Sequence, residues 1–180
     1  MANLIDINNY IPKSMDNFFF DNNIWIYLFC PIGNHNKIKQ KLYSSFLQKI
    51  RSSNATVWIN SLVLSEFFNT SIKLDYNLWK DEELRKGNRF IDFKKDYRPT
   101  KRYKDTVNSI NSAIKQILLL CQRCSDNFNA LDLANILLMA SEVDFNDSYY
   151  LEFCKLSSYN LVTDDKDCSK LNIKVNVLQG

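Results

Sequence analysis

Apolar positions fall in short blocks along the chain, and their spacing changes from block to block. Asn17 to Phe20 (NFFF) reads as a short strand that runs into Asp21, and Ile24 to Phe29 continues apolar as a turn and first helix. From Lys37 to Ser52, Ile38, Leu42, Phe46, Leu47 and Ile50 recur at three and four, with lysines opposite, which predicts an amphipathic helix. Ala55 to Asn60 (ATVWIN) is β-branched and aromatic and too short for a helix, so it predicts a strand. Ser61 then serves as the expected N-cap of SLVLSEFFNTSIK, with Leu62, Phe67 and Phe68 toward the core and Glu66 in the first turns. Lys80 to Lys104 contains Gly87 and Pro99 and has weak periodicity, which predicts a loop or broken helix. Tyr103 to Arg123 and Ala130 to Ala140 read as helices, and Asn146 as the N-cap of a third that places Asp147 at its positive end. NLVTDD predicts a strand ending in acids, followed by a brief helical turn and IKVNVL as a terminal edge strand. The first residues read as a polar lead.

Strands alternating with helices predict an α/β fold of three layers, α/β/α, around a central, mostly parallel sheet. With 180 residues, one domain over 1–180 is expected, carrying a basic insertion at about 75–104. In such sheets, sites form at the carboxyl ends of the strands, and that is where the acids sit.

Composition narrows the chemistry. Three glycines, Gly33, Gly87 and Gly180, cannot write a P-loop or a dinucleotide fingerprint. The single histidine, His35, excludes zinc sites built on several histidines. Five scattered cysteines without a secretory leader imply reduced thiols and a cytoplasmic protein, and the Cys121/Cys124 pair is expected to be helix packing. The most apolar window, from Phe18, is interrupted by Asp21 and falls short of the about 18 residues of a membrane span. Between Lys80 and Lys104 there are ten basic and five acidic residues, within a chain of net charge +3. That asymmetry suits a polyanion held by one region and acidic chemistry in another.

Asp21, Glu66, Asp147 and the Asp164/Asp165 pair arrive at strand ends or helix starts from four separate places. Carboxylates gathered in a small volume either bind a cation or take up protons, and a hard ion such as Mg²⁺ or Mn²⁺ is the natural occupant. Taken singly, each acid could instead be a helix cap or an exposed loop residue.

The local strings resemble the PIN-domain ribonucleases, in particular VapC-like toxins of toxin–antitoxin pairs. The matching strings are FFFDNNIWIYLF with Asp21 and Asn23, WINSLVLSEFFN with Glu66, DFNDSYYLEFCK with Asp147, and LVTDDKD with Thr163, Asp165 and Asp167. They occur in the family's order over about Phe18 to Val177. The resemblance implies that Asp21, Glu66, Asp147 and Asp165 are catalytic, metal-holding acids, with Asn23, Thr163 and Asp167 supporting them. Asp165 is preferred over Asp164 on its spacing from Thr163. Asn22 departs from the small hydroxyl residue usual after the first Asp, and Cys168 from the usual aromatic. The resemblance further implies a Mg²⁺- or Mn²⁺-dependent endoribonuclease, a protein antitoxin as partner, and a homodimer. Arg98, Lys101, Arg102 and Lys104 are the expected phosphate contacts, and Trp79 or Tyr103 could stack bases where they are not packed. Two alternatives remain at this stage: a PIN-like module that binds RNA or protein without cutting, and a DNA-directed nuclease on the same fold.

Overall fold

The computed structural model describes residues 2–33 and 36–180, so His35 lies outside the described residues. Its strands are β1 (Asn3–Asp6), β2 (Asn17–Phe20), β3 (Thr56–Ile59), β4 (Gln122–Arg123), β5 (Asn160–Val162) and β6 (Asn176–Gln179). Its α-helices are α1 (Asn22–Phe29), α2 (Lys37–Ser52), α3 (Ser61–Arg85), α4 (Lys101–Leu120), α5 (Leu133–Met139) and α6 (Phe145–Ser157). The sheet order is β1-β6-β5-β2-β3-β4, and every neighbouring pair is parallel.

The central strand explains the layering. Phe18, Phe19 and Phe20 are all fully buried, as a parallel strand covered on both faces must be. Phe18 meets Phe46 of α2 edge-on and Phe20 lies against Trp25 of α1, whereas Phe19 packs between Tyr150 and Phe153 of α6. Successive side chains of a strand point to opposite faces, so α1 and α2 cover one side of the sheet and α6 the other. The result is a single all-parallel sheet flanked by helices.

Several expectations are corrected. Asn60, not Ser61, caps α3: it leaves β3 in extended conformation and its Oδ1 accepts the Val63 N–H at 3.1 Å. Asp144, not Asn146, caps α6, because its carboxylate accepts the Asn146 N–H at 3.2 Å; Asp147 still falls in the first turn. The terminal strand is not an edge. The polar lead forms β1 beside it, tied across the strand starts by Asn3 donating to Asn176 and Asn176 donating to Asn160, each at 2.8 Å. The helix expected to reach Arg123 stops at Leu120, after which Gln122 and Arg123 extend the sheet. Cys121 and Cys124 therefore flank a strand, and both are free thiols.

The largest departure concerns the basic stretch. Instead of a loop, α3 runs on to Arg85, a five-residue π-helical turn spans Phe93–Tyr97, and α4 starts at Lys101. Local periodicity is weak because these pieces pack on one another rather than on the sheet. Tyr76, Trp79, Phe93, Tyr97 and Tyr103 form one aromatic cluster between α3 and α4.

Candidate active site

Asp21 stands where β2 ends and α1 begins, and its N–H continues the sheet ladder to the Val162 carbonyl at 3.0 Å. It is only 5% exposed. Three donors meet its carboxylate: the Asn22 N–H at 2.5 Å, Asn23 Nδ2 at 2.6 Å and Thr163 Oγ1 at 2.7 Å. Such bonds favour the ionised form. Burial outweighs them and, with the nearby charges of Glu66 and Asp165, pushes the Asp21 carboxyl up to about 7.

Asn23 and Thr163 stitch the two strand ends together. Asn23 Nδ2 also donates to Thr163 Oγ1 at 3.0 Å, its Oδ1 accepts the Asp164 N–H at 3.2 Å, and Thr163 Oγ1 accepts the Asp165 N–H at 3.0 Å. The turn carrying Asp164 and Asp165 is thus fixed to α1. The two acids have different partners. Asp164 receives Lys39 Nζ at 2.7 Å, Tyr43 Oη at 2.8 Å and Tyr27 Oη at 3.0 Å. Asp165 instead acts electrostatically on both Asp21 and Asp147, and its Oδ1 accepts the Asp167 N–H at 2.8 Å. Asp167 takes part here through its backbone.

Glu66 enters from the second turn of α3, where Tyr150 of α6 donates to its Oε2 at 2.6 Å. Burial, then the charge of Glu66 and this contact, raise the Tyr150 phenol well above its ordinary value. Asp147, in the first turn of α6, is pushed up to about 8, first by burial and then by Asp21, Asp165, Asp144 and Glu66. Buried Cys168 lies in the same field, its thiol raised by burial and then by Asp147, Asp21 and Asp165. Asn22 turns away toward Thr70 Oγ1 at 3.3 Å, leaving its own Oδ1 buried without a partner.

Asp21, Glu66, Asp147 and Asp165 therefore share one electrostatic neighbourhood at the carboxyl end of the sheet. Among the described residues, no three His, Cys, Asp or Glu side chains are drawn together closely enough to enclose an ion outright. The donor set is nevertheless all hard carboxylate oxygen, and two of its members are raised, by burial first and by the neighbouring acids second. That suits Mg²⁺ or Mn²⁺, which take one or two carboxylates directly and keep several waters.

The four basic residues expected to hold phosphate part company. Arg98 and Lys104 are exposed. Lys101 is paired with Asp105 at 2.5 Å on the surface. Arg102 is occupied within the fold, with its Nε 3.0 Å and its Nη2 2.7 Å from Asp75 Oδ1, and its Nη1 2.7 Å from Glu82. Asp75 is buried and also accepts from Tyr97 at 2.6 Å and Thr106 at 2.7 Å. Trp79 and Tyr103 belong to the aromatic cluster beside it.

Sequence reasoning missed Tyr150, the Lys39/Tyr43/Tyr27 clamp and Asp75. Tyr150 lies one helical turn after Asp147, and Lys39 and Tyr43 are four apart on α2, so a shared helix face was a usable signal. Asp75 had none, because its partners are 22 to 31 residues away.

No known family's sequence profile matches the chain, and no curated protein matches it in sequence. Solved structures similar to it include the following two. VapBC2 from Rickettsia felis, bound to a DNA fragment from their promoter, aligns with a TM-score of 0.54 at 16% identity over 91% of this chain and 99% of that one. PAE2754 from Pyrobaculum aerophilum aligns with a TM-score of 0.44 at 13% identity over 96% of this chain and 90% of that one. The first likeness is one of fold: the all-parallel sheet flanked by helices matches a PIN-like architecture. Among the described residues, no helix is long and apolar enough to cross a membrane.

Proposed function

We propose that the chain is a Mg²⁺- or Mn²⁺-dependent endoribonuclease of PIN type, the toxin of a toxin–antitoxin pair acting in the cytoplasm. The observation that carries this reading is the convergence of Asp21, Glu66, Asp147 and Asp165, from four separate segments, on one neighbourhood where burial and mutual repulsion push two of them up to about 7 and 8. Asp21, Asp147 and Asp165 would hold the ion, and Glu66 would hold it or orient a water. When bound, such an ion activates a water and neutralises charge on a phosphodiester. The chain's own contribution is orientation. Thr163 and Asn23 fix Asp21, Tyr150 fixes Glu66, and the Lys39/Tyr43/Tyr27 clamp fixes the turn that presents Asp165.

Arg98, Lys101 and Lys104 would grip phosphates; Arg102, held by Asp75 and Glu82, is assigned to the fold. A protein partner is supported by the structural neighbour being a VapBC2 complex and by α5, which leaves Leu133, Leu137 and Leu138 exposed. An antitoxin or a second copy of this chain, as a homodimer, would cover that face.

Matched RNA and DNA oligonucleotides, incubated with Mg²⁺, with Mn²⁺ and with EDTA, test the activity. Cleavage of RNA that EDTA stops, and that Asp21→Asn and Asp147→Asn abolish with the fold intact, is the expected result. Undiminished cutting in EDTA refutes the metal, cutting of DNA alone refutes the substrate, and binding without cutting refutes the enzyme.

A further inference from the structure

The helical arm built from α3, the π-helical turn and the start of α4 ends in an unusual surface. Gly87, at φ +94°, takes the left-handed conformation that stops α3, and its N–H donates to the Leu84 carbonyl at 3.1 Å. Asn88, Arg89 and Phe90 follow at the tip, and Phe90 is 97% exposed. Between positions 80 and 104 only Leu84 and Phe90 are exposed large apolar side chains, so no broad apolar patch surrounds the ring.

The charges of the segment that carries it are unevenly committed. Glu82 is paired with Arg102, and Glu83 accepts from Lys86 and Asn88. Asp92 caps the π-helical turn through the N–H groups of Lys94 and Lys95, and Asp96 accepts the Asp92 N–H. Most of the arm's acids are thus used internally. Arg85, Arg89, Lys94, Lys95, Arg98 and Lys104 are exposed and make no ion pair among the described residues. An aromatic face among unpaired cations is what a single-stranded nucleic acid uses: bases stack on the ring and phosphates meet the cations. Six unpaired cations with few free acids between them favour a polyanion over a protein surface of mixed charge.

We propose that Phe90 is a stacking platform for an unpaired base of bound RNA, with Arg89 beside it on the flanking phosphates. This rests on the reading of the chain as an RNA-directed enzyme. It adds a second contact far from the carboxylates. Glu66 and Arg85 lie on one continuous helix, nineteen residues apart, which is about 28 Å at 1.5 Å per residue. A strand stacked at about 3.4 Å per nucleotide covers that distance in roughly eight nucleotides. Short RNA can reach the carboxylates without reaching Phe90, and long RNA reaches both.

The test is binding, with Mg²⁺ present, of a fluorescein-labelled, unstructured 15-nucleotide RNA and of a 4-nucleotide RNA, both with cleavage-resistant phosphorothioate linkages. Wild type, Phe90→Ala, Phe90→Leu and Phe90→Trp are compared. Removing a stacking ring should weaken the longer RNA roughly 5- to 100-fold. Phe90→Leu should weaken it nearly as much, Phe90→Trp should retain it, and the tetranucleotide should be indifferent to all three. The salt slope should be unchanged in Phe90→Ala and shallower in Arg89→Ala, which loses a phosphate contact. Since the ring is exposed, equal melting temperatures will show that the variants fold. Wild-type affinity in Phe90→Ala overturns the proposal, as does wild-type affinity in Phe90→Leu, which would mean apolar contact without stacking. Loss of a protein partner with RNA binding intact overturns it in favour of a protein contact. Failure of wild type to bind either RNA overturns this proposal, whereas failure to cut unmodified RNA with Mg²⁺ while still binding removes the enzyme and leaves the platform standing.

Discussion

At the scale of single residues, Asp147 and Asp21 make the site electrostatically uncomfortable without metal. Asp147 is raised to about 8 and Asp21 to about 7, chiefly by burial. A carboxyl whose folded value lies above its unfolded one binds more protons in the native state, so its contribution to stability falls as pH rises through that window. Metal-free protein should therefore melt at a higher temperature at pH 6 than at pH 8.5, and Asp147→Asn should flatten the difference. A melting temperature that climbs with pH over this range would contradict the assignment. The adjacent acids give a second residue-level expectation. Asp165→Asn should abolish cleavage, whereas Asp164→Asn, which loosens the contacts from Lys39, Tyr43 and Tyr27, should lower it by about tenfold or less; equal loss in both would refute the division of roles. The sequence could name all five acids, because each ends a strand or opens a helix. It could rank Asp165 above Asp164 only through spacing, since the groups that engage Asp164 come from residues more than 100 positions distant.

Among the elements, β2, α2 and β3 were legible because their apolar periods are strong and local. Asn17–Phe20 and Lys37–Ser52 form as their patterns predict. β1 was not, because an outer strand can be polar and still pair through its backbone. The far half of α3 was hidden for another reason: its buried contacts are a salt bridge and an aromatic cluster rather than a hydrophobic stripe. Asp75 and Arg102 join α3 to α4, with Tyr97 and Thr106 completing the carboxylate's bonds. Asp75→Ala leaves Arg102 without its main partner and should cost about 3 kcal/mol, or roughly 6–12 °C in Tm. A change below 1 °C would show that the arm is held by its aromatic rings alone. The same variant should loosen the arm and weaken long RNA without affecting short RNA.

For the whole molecule, the fold gathers acids at one end of the sheet and places a basic segment at the far end of a helix that begins beside them. The ordered strings made the acids visible in the sequence and the local charge count the basic segment, while the internal pairing of the arm's acids and the exposure of Phe90 depend on tertiary contacts no string records. The central claim is that the four carboxylates constitute one hard-cation site. Titrating Mn²⁺ into the protein by calorimetry near pH 7, in buffers of different ionisation enthalpy, tests it without any substrate, because an ion must displace protons held by Asp21 and Asp147. Binding that releases protons, with weaker affinity and fewer protons released in Asp147→Asn, is the predicted result; no binding, or binding unchanged in that variant, would contradict the account.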